Sequence, residues 1–158
     1  MDSLEAKKYW VAFNLVKGIG SVRFKQILDF FGDLETAWES PASGMVSAGL
    51  PAKVVENFIK AKSQVDLDKV MEKIVNSGVR VMIWSDSDYP RRLKEINQSP
   101  PVLYIKGSIN VEDDWAVAVV GTRRVTPYGR QVANEIATFL AQNGVTLVSG
   151  LARGVDAI

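Results

Sequence analysis

The sequence predicts an α/β chain, with a small helical domain over residues 1–62 followed by a parallel sheet within residues 63–158. Three observations predict it. Up to residue 62, apolar residues recur at helical spacing between glycine and proline stops. From residue 79 onward, short β-rich runs take over. Residues 115–149 then read strand, helix, strand, a pattern that a right-handed βαβ crossover with parallel strands satisfies.

The elements follow in order. Ser3 is a candidate cap for a first helix with Ala6, Tyr9, Trp10, Phe13 and Val16 on its apolar face. Gly18-Ile19-Gly20 stops it. Ser21 is placed to cap a second helix carrying Phe24, Ile27, Leu28 and Phe31, closed at Gly32. Asp33 opens a short helix with Leu34, Ala37 and Trp38. Ser40-Pro41 reads as a cap with proline at the first helical position. After Gly49-Leu50-Pro51, Val54, Val55, Phe58 and Ile59 form a further apolar face. Asp66 or Asp68 starts the next helix, with Leu67, Val70, Met71, Ile74 and Val75 inward, and Gly78 ends it.

Strands are expected at Val79–Trp84 and Val102–Ile105, separated by the loop Ser85–Pro90 and one or two helical turns in 91–96. Trp115–Val120 is continuously apolar, as for a strand buried on both faces. Thr126-Pro127 caps and opens a helix with Val132, Ile136, Phe139 and Leu140 on one face. Asn143-Gly144 ends it before the apolar strand Val145–Val148. The four tryptophans, Trp10, Trp38, Trp84 and Trp115, fall at apolar positions and read as core.

Composition narrows the chemistry. The 158 residues include no Cys and no His, so a thiol nucleophile, an imidazole base, a disulfide framework and the usual zinc sites are excluded. No apolar run reaches the roughly 18 residues of a membrane span, and MDSLEAKKYW lacks the apolar stretch of a secretory signal. A cytoplasmic protein is the resulting expectation. Formal net charge is +1, and both halves are balanced: 10 basic and 10 acidic side chains in residues 1–78, 9 and 8 in residues 79–158. A polyanion partner would have to be held by local charge.

Such a place exists. In a βαβ unit the C-terminal ends of both strands lie on one edge of the sheet, where ligands of open α/β sheets bind. That puts Gly121-Thr122-Arg123-Arg124 beside Ser149-Gly150-Leu151-Ala152-Arg153-Gly154. Gly121 permits a tight turn, the following helix aims its first N–H groups at the loop, and the three arginines match phosphate geometry. The competing reading has these arginines paired on the surface with Asp114 or Asp156. The edge position favours a phosphate or nucleic-acid cleft. Neither G-x-G-x-x-G nor G-x-x-x-x-G-K-[ST] occurs here, so a dinucleotide fingerprint and a P-loop are poorly supported.

The string AVAVVGTRRVTPYGRQVANEIATFLAQNGVTLVSGLARGVDAI, with DYPRRLKEINQSPPVLYIKG and GIGSVRFKQILDFFGDLETAWE before it, resembles the DNA-processing protein A (DprA/Smf) family across essentially the whole chain. The resemblance implies a small helical SAM-like domain before an extended Rossmann-like core. It implies a cytoplasmic bacterial protein that binds single-stranded DNA during natural transformation, loads the RecA recombinase onto it and homodimerises. It implies no cofactor and no enzymatic activity. Gly121, Thr122 and Arg123 match the family's G-[ST]-R turn, whose arginine faces single-stranded DNA. Tyr128 and Gly129 match its T-x-Y-G. Ser149, Gly150, Arg153, Gly154 and Asp156 match S-G-x-A-x-G-[IV]-D. The expected DNA-binding set is therefore Gly121, Thr122, Arg123, Arg124, Ser149, Gly150, Arg153 and Gly154, with no catalytic and no metal-binding residue. Because the family pattern continues past Ile158, the expectation is an N-terminal part with an incomplete Rossmann-like sheet.

Three further features have competing readings. Gly18-Ile19-Gly20, with Lys17, Arg23 and Lys25 nearby, resembles a helix-hairpin-helix that holds a DNA phosphate. A plain helical reversal explains the glycines as well and is favoured. Asp86 and Asp88 suggest an acid pair or metal site, but turn-stabilising aspartates are favoured. Tyr104 and Tyr128 are candidate base-stacking rings. The alternative function is a nucleotide-processing Rossmann enzyme of the lysine-decarboxylase-like group, whose P-G-G-x-G-T loop does not occur here.

Overall fold

The computed structural model describes residues 4–109 and 115–158. The chain divides into two compact units, Met1–Ser108 and Ile109–Ile158.

The first unit is built on α1 (Leu4–Leu15), which packs against five other helices or strands. Its buried residues are Val11, Ala12 and Phe13, with Val16 buried just past its end, whereas Tyr9 and Trp10 are half-buried and Ala6 is exposed. The expected single stripe is thus displaced, because a helix with neighbours on several sides buries a wide arc. The predicted cap Ser3 lies outside the described residues. Helices α2 (Ser21–Phe31), α3 (Leu34–Glu39), α4 (Ala42–Ser47), α5 (Ala52–Gln64) and α6 (Leu67–Asn76) follow. Asp33 and Asp66 cap α3 and α6, accepting from Thr36 N and Lys69 N as the sequence predicts.

Two expected caps move by one residue. Gly20, not Ser21, caps α2, and Pro41, not Ser40, precedes α4. Ser40 instead closes α3, its hydroxyl donating to Ala37 O. Phe13, Phe24, Trp38 and Phe58 form the aromatic centre, with Phe13 and Phe58 stacked at 5.7 Å. Ile59 and Val75, expected inward, are about half exposed.

Strands β1 (Arg80–Ile83) and β2 (Val102–Ile105) pair antiparallel, Arg80 opposite Ile105 and Ile83 opposite Val102. Between them lies α7 (Arg91–Lys94). Leu67, Met71, Val81, Ile83 and Val102 join the same core as the first five helices. The first compact unit therefore runs on past the helices to Ser108.

The second unit holds β3 (Ala116–Ala118), α8 (Pro127–Gln142), β4 (Thr146–Val148) and a 3-10 turn, Val155–Ala157. β3 and β4 pair parallel, Ala116 opposite Thr146 and Ala118 opposite Val148. The predicted strand–helix–strand and its parallel pairing are therefore present. The expectation of a strand buried on both faces is not met: Trp115 is 79% exposed, Val120 67% and Phe139 of α8 65%. A two-stranded sheet with one helix cannot enclose both of its faces, and Trp115 is not core.

Candidate nucleic-acid interface

The two loops predicted at one sheet edge do meet. Gly121 follows β3 after Val119, whose N–H still bonds Val148 O at 2.9 Å. Ser149 follows β4 directly, so both loops leave the sheet side by side. They are then tied by hydrogen bonds. Gly121 N donates to Asp156 Oδ1 at 3.0 Å, Val155 N to Thr122 O at 3.2 Å, and the Ser149 hydroxyl to Asp156 O at 3.2 Å.

Glycine is required where the loops touch. Gly154 has φ +97°, and a Cβ there would lie 2.1 Å from Thr122 O and 2.7 Å from Arg123 Cα. A Cβ on Gly121 would meet the Val155 side chain at 2.7 Å. The main chains are in direct contact, leaving the glycine-bearing loops open on their outer side, where Gly121, Thr122, Arg123, Arg124, Ser149, Gly150 and Arg153 are all exposed. Gly154, pressed between the loops, is half-buried.

The start of α8 offers less to an anion than the sequence implies. Pro127 has no N–H, Gly129 N donates to Thr126 Oγ1 at 3.1 Å, and Arg130 N is bonded to Thr126 O at 2.9 Å. Of these first-turn amides only Tyr128 N remains for a ligand. The positive charge of the edge therefore rests on side chains. Among the described residues, Arg123, Arg124 and Arg153 have no carboxylate partner. Asp156, the acid closest to hand, points its Oδ1 at a backbone amide instead. Asp114, the other expected partner, lies outside the described residues.

Sequence reasoning found the loops but missed this role of Asp156. It also missed Leu151, which holds φ +51° and is 86% exposed between Gly150 and Arg153. The β-branched or bulky residue at positive φ leaves no sequence signal beyond the neighbouring glycine. Tyr128 is 77% exposed beside the Arg123–Arg124 loop, a placement that suits base stacking. Tyr104 belongs to the first unit, where its hydroxyl accepts from Asn14 Nδ2.

The other candidates resolve as structural. Asp86 and Asp88 do not converge: Asp86 takes Lys7 Nζ at 2.6 Å and Ile83 N at 2.9 Å, while Asp88 pairs with Arg80. At Gly18-Ile19-Gly20, Arg23 is held on Gly18 O and Asn57 Nδ2 donates to Lys17 O at 2.8 Å. Gly18, at φ +98°, packs against Val54, as a helical reversal requires. Among the described residues no helix is long and apolar enough to cross a membrane.

Fold and site together define an α/β chain whose parallel strands present interlocked, arginine-bearing loops at one edge. Residues 80–158 match the DNA recombination-mediator protein A family, and the chain belongs to that family. Its relatives include protein Smf of Synechocystis sp., 36% identical over 155 residues, covering 94% of this chain and 39% of that one. DNA processing protein DprA of Bacillus subtilis is 30% identical over 128 residues, covering 75% of this chain and 43% of its own. The X-ray structure of DNA processing protein A from Streptococcus pneumoniae superposes with a TM-score of 0.65 at 23% identity, over 95% of this chain and 51% of that chain, a likeness of fold. The chain thus spans about two fifths of the length of the two curated relatives named.

Proposed function

We propose that this chain binds single-stranded DNA through Gly121, Thr122, Arg123, Arg124, Ser149, Gly150, Arg153 and Gly154, and takes part in loading the RecA recombinase in natural transformation. The observation that carries the reading is the pair of interlocked loops, with three exposed arginines that have no carboxylate partner among the described residues. Arginine forks meet phosphate oxygens, glycines let the backbone approach the strand, and no base edge needs to be read. Binding of this kind is electrostatic and tolerant of sequence. The same reading makes the chain a cytoplasmic binding protein without turnover, with residues 1–62 as its SAM-like domain and 63–158 as the start of its Rossmann-like part. Membership in a family whose relatives are named DNA processing proteins supports it.

The test is a salt titration with labelled oligonucleotides. Single-strand affinity is expected to fall steeply with salt and to drop in Arg123→Ala and Arg153→Ala. Affinity unchanged in both variants would refute the assignment of these residues.

A further inference from the structure

A second binding surface lies in the Met1–Ser108 unit, on the outer side of α2. Three concavities meet there at Val22. The first, about 490 Å³, is lined by Ser21, Val22, Lys25, Trp84, Lys94 and Ile96, among others. The second, about 510 Å³, adds Arg23, Gln26 and Pro51, and the third, about 420 Å³, extends along α2 to Phe30. Val22 and Phe30, two helical turns apart, are 68% and 52% exposed, and Ile96 is 50% exposed. These exposed apolar side chains alternate with polar ones, Gln26 and Asp29 lining the third concavity beside Val22 and Phe30.

The first concavity has a firm apolar wall. Trp84 packs edge-on against Trp10 at 6.0 Å and Phe24 at 5.8 Å. Its indole N–H already donates to Ser99 Oγ at 3.2 Å, and Ser99 is bonded in turn to the Tyr89 hydroxyl at 3.0 Å. With that donor occupied, the indole offers an occupant apolar surface, not a hydrogen bond. The rim, by contrast, is cationic. Lys25 and Lys94 border the first concavity and Arg23 the second, and no carboxylate lines either. Lys94 stands 5.5 Å from the centre of the Tyr89 ring and has no carboxylate partner among the described residues. Lys25 reaches Asp29 at 3.4 Å, but both side chains are mostly exposed, so that pair is weak.

From this complementarity we propose that the groove docks an acidic peptide segment of a partner protein, with one large apolar side chain seated against Trp84. The apolar wall fits the anchor, and the three cations fit carboxylates flanking it. The aliphatic lining by Val22 and Ile96, continued to Phe30, favours a peptide over a nucleic-acid strand. The proposal does not depend on the DNA reading, because every residue it uses lies in the other compact unit.

The test uses the whole chain and a short fluorescein-labelled peptide of aspartate, glutamate and serine with a single phenylalanine, followed by anisotropy. Replacing the phenylalanine by alanine is expected to weaken binding about tenfold. The Lys25→Glu, Lys94→Glu double variant should do the same, with its thermal unfolding unchanged since both lysines are exposed. Val22→Asp provides a second variant that leaves the indole contacts intact. The Trp84 indole N–H cross-peak should shift on titration while that of Trp115 does not. Arg123→Ala should bind the peptide like the parent chain, which separates failure here from failure of the DNA reading. Equal affinity for a lysine-rich peptide or for the peptide without phenylalanine would overturn the proposal. So would competition by oligothymidylate that the double lysine variant abolishes, because the groove would then be a nucleic-acid site.

Discussion

Gly154→Ala is the sharpest probe of the loop edge. Gly154 combines φ +97° with ψ −130°, a region open essentially to glycine alone. Holding alanine there costs about 1–3 kcal/mol before any contact is counted. The new methyl would also sit 2.1 Å from Thr122 O, 2.7 Å from Arg123 Cα and 2.9 Å from Arg123 C. All three are backbone atoms, so no rotamer change relieves the overlap. The Thr122–Arg123 segment must retreat by more than an ångström, which breaks the Val155 N–Thr122 O bond and displaces Arg123. If the strain falls on the DNA-competent conformation, affinity for a labelled oligothymidylate drops about tenfold to a hundredfold. Gly144→Ala is the control: Gly144 has φ +71°, and nothing lies within 4 Å of its Cβ position. It should lose about 1 kcal/mol of stability and keep its affinity. Unchanged DNA affinity in Gly154→Ala would refute the interlock. Equal affinity losses in both variants would show that affinity follows the stability of the unit and not the geometry of the loops.

Three further outcomes are expected. Removing Arg123 or Arg153 should flatten the plot of log affinity against log salt by about 0.7 per lost phosphate contact, measured by anisotropy over a salt series. Asp156→Asn retains an oxygen for Gly121 N and should keep DNA binding, whereas Asp156→Ala should weaken it and speed exchange of the Gly121 amide. Acidification should destabilise the Met1–Ser108 unit. The Thr36 amide and hydroxyl hold the Asp33 carboxyl below its ordinary value, and the Lys69 and Arg80 side chains do the same for Asp66 and Asp88. A depressed carboxylate contributes stability above its unfolded pKa and loses it as pH falls through the folded one. Urea midpoints should therefore hold above about pH 4 and fall below it, and fall less when all three are asparagine.

Local chemistry explains what the sequence disclosed. Asp33, Asp66 and Thr126 cap their helices because a short oxygen-bearing side chain just before an apolar-periodic run has one good use, accepting from the third residue on. The cap at Ser21 slipped by one residue because a serine at the first helical position looks the same in sequence as one just outside, whereas Ser40 is taken up in closing α3. Only the extended backbone of Gly20, φ −101° and ψ −174°, separates the two cases. Val11 and Ala12 escaped notice because a single stripe cannot report a helix packed on several sides. The strand at 115–120 has the composition of a doubly covered strand, but cover comes from other elements, and composition cannot count them. The parallel pairing and the meeting of the two loops were legible because crossover handedness fixes them once strand, helix and strand are recognised.

The charge of the candidate site follows from a backbone hydrogen bond. With a net charge of +1 and nearly equal acids and bases in each half, exposed arginines would ordinarily find carboxylates on a crowded surface. Asp156 is the acid best placed to neutralise this edge, since it belongs to the same loop as Arg153. Its Oδ1 instead accepts the Gly121 amide, which ties the second loop to the first. One contact thus does two things: it fixes the spacing of the loops and directs one carboxylate oxygen toward the main chain. The arginines keep their charge available at the rim without any excess of basic residues in the chain as a whole. A local cationic edge and global neutrality are therefore compatible here, and the geometry of that edge depends on the loops staying locked more than on how many cations the sequence contains.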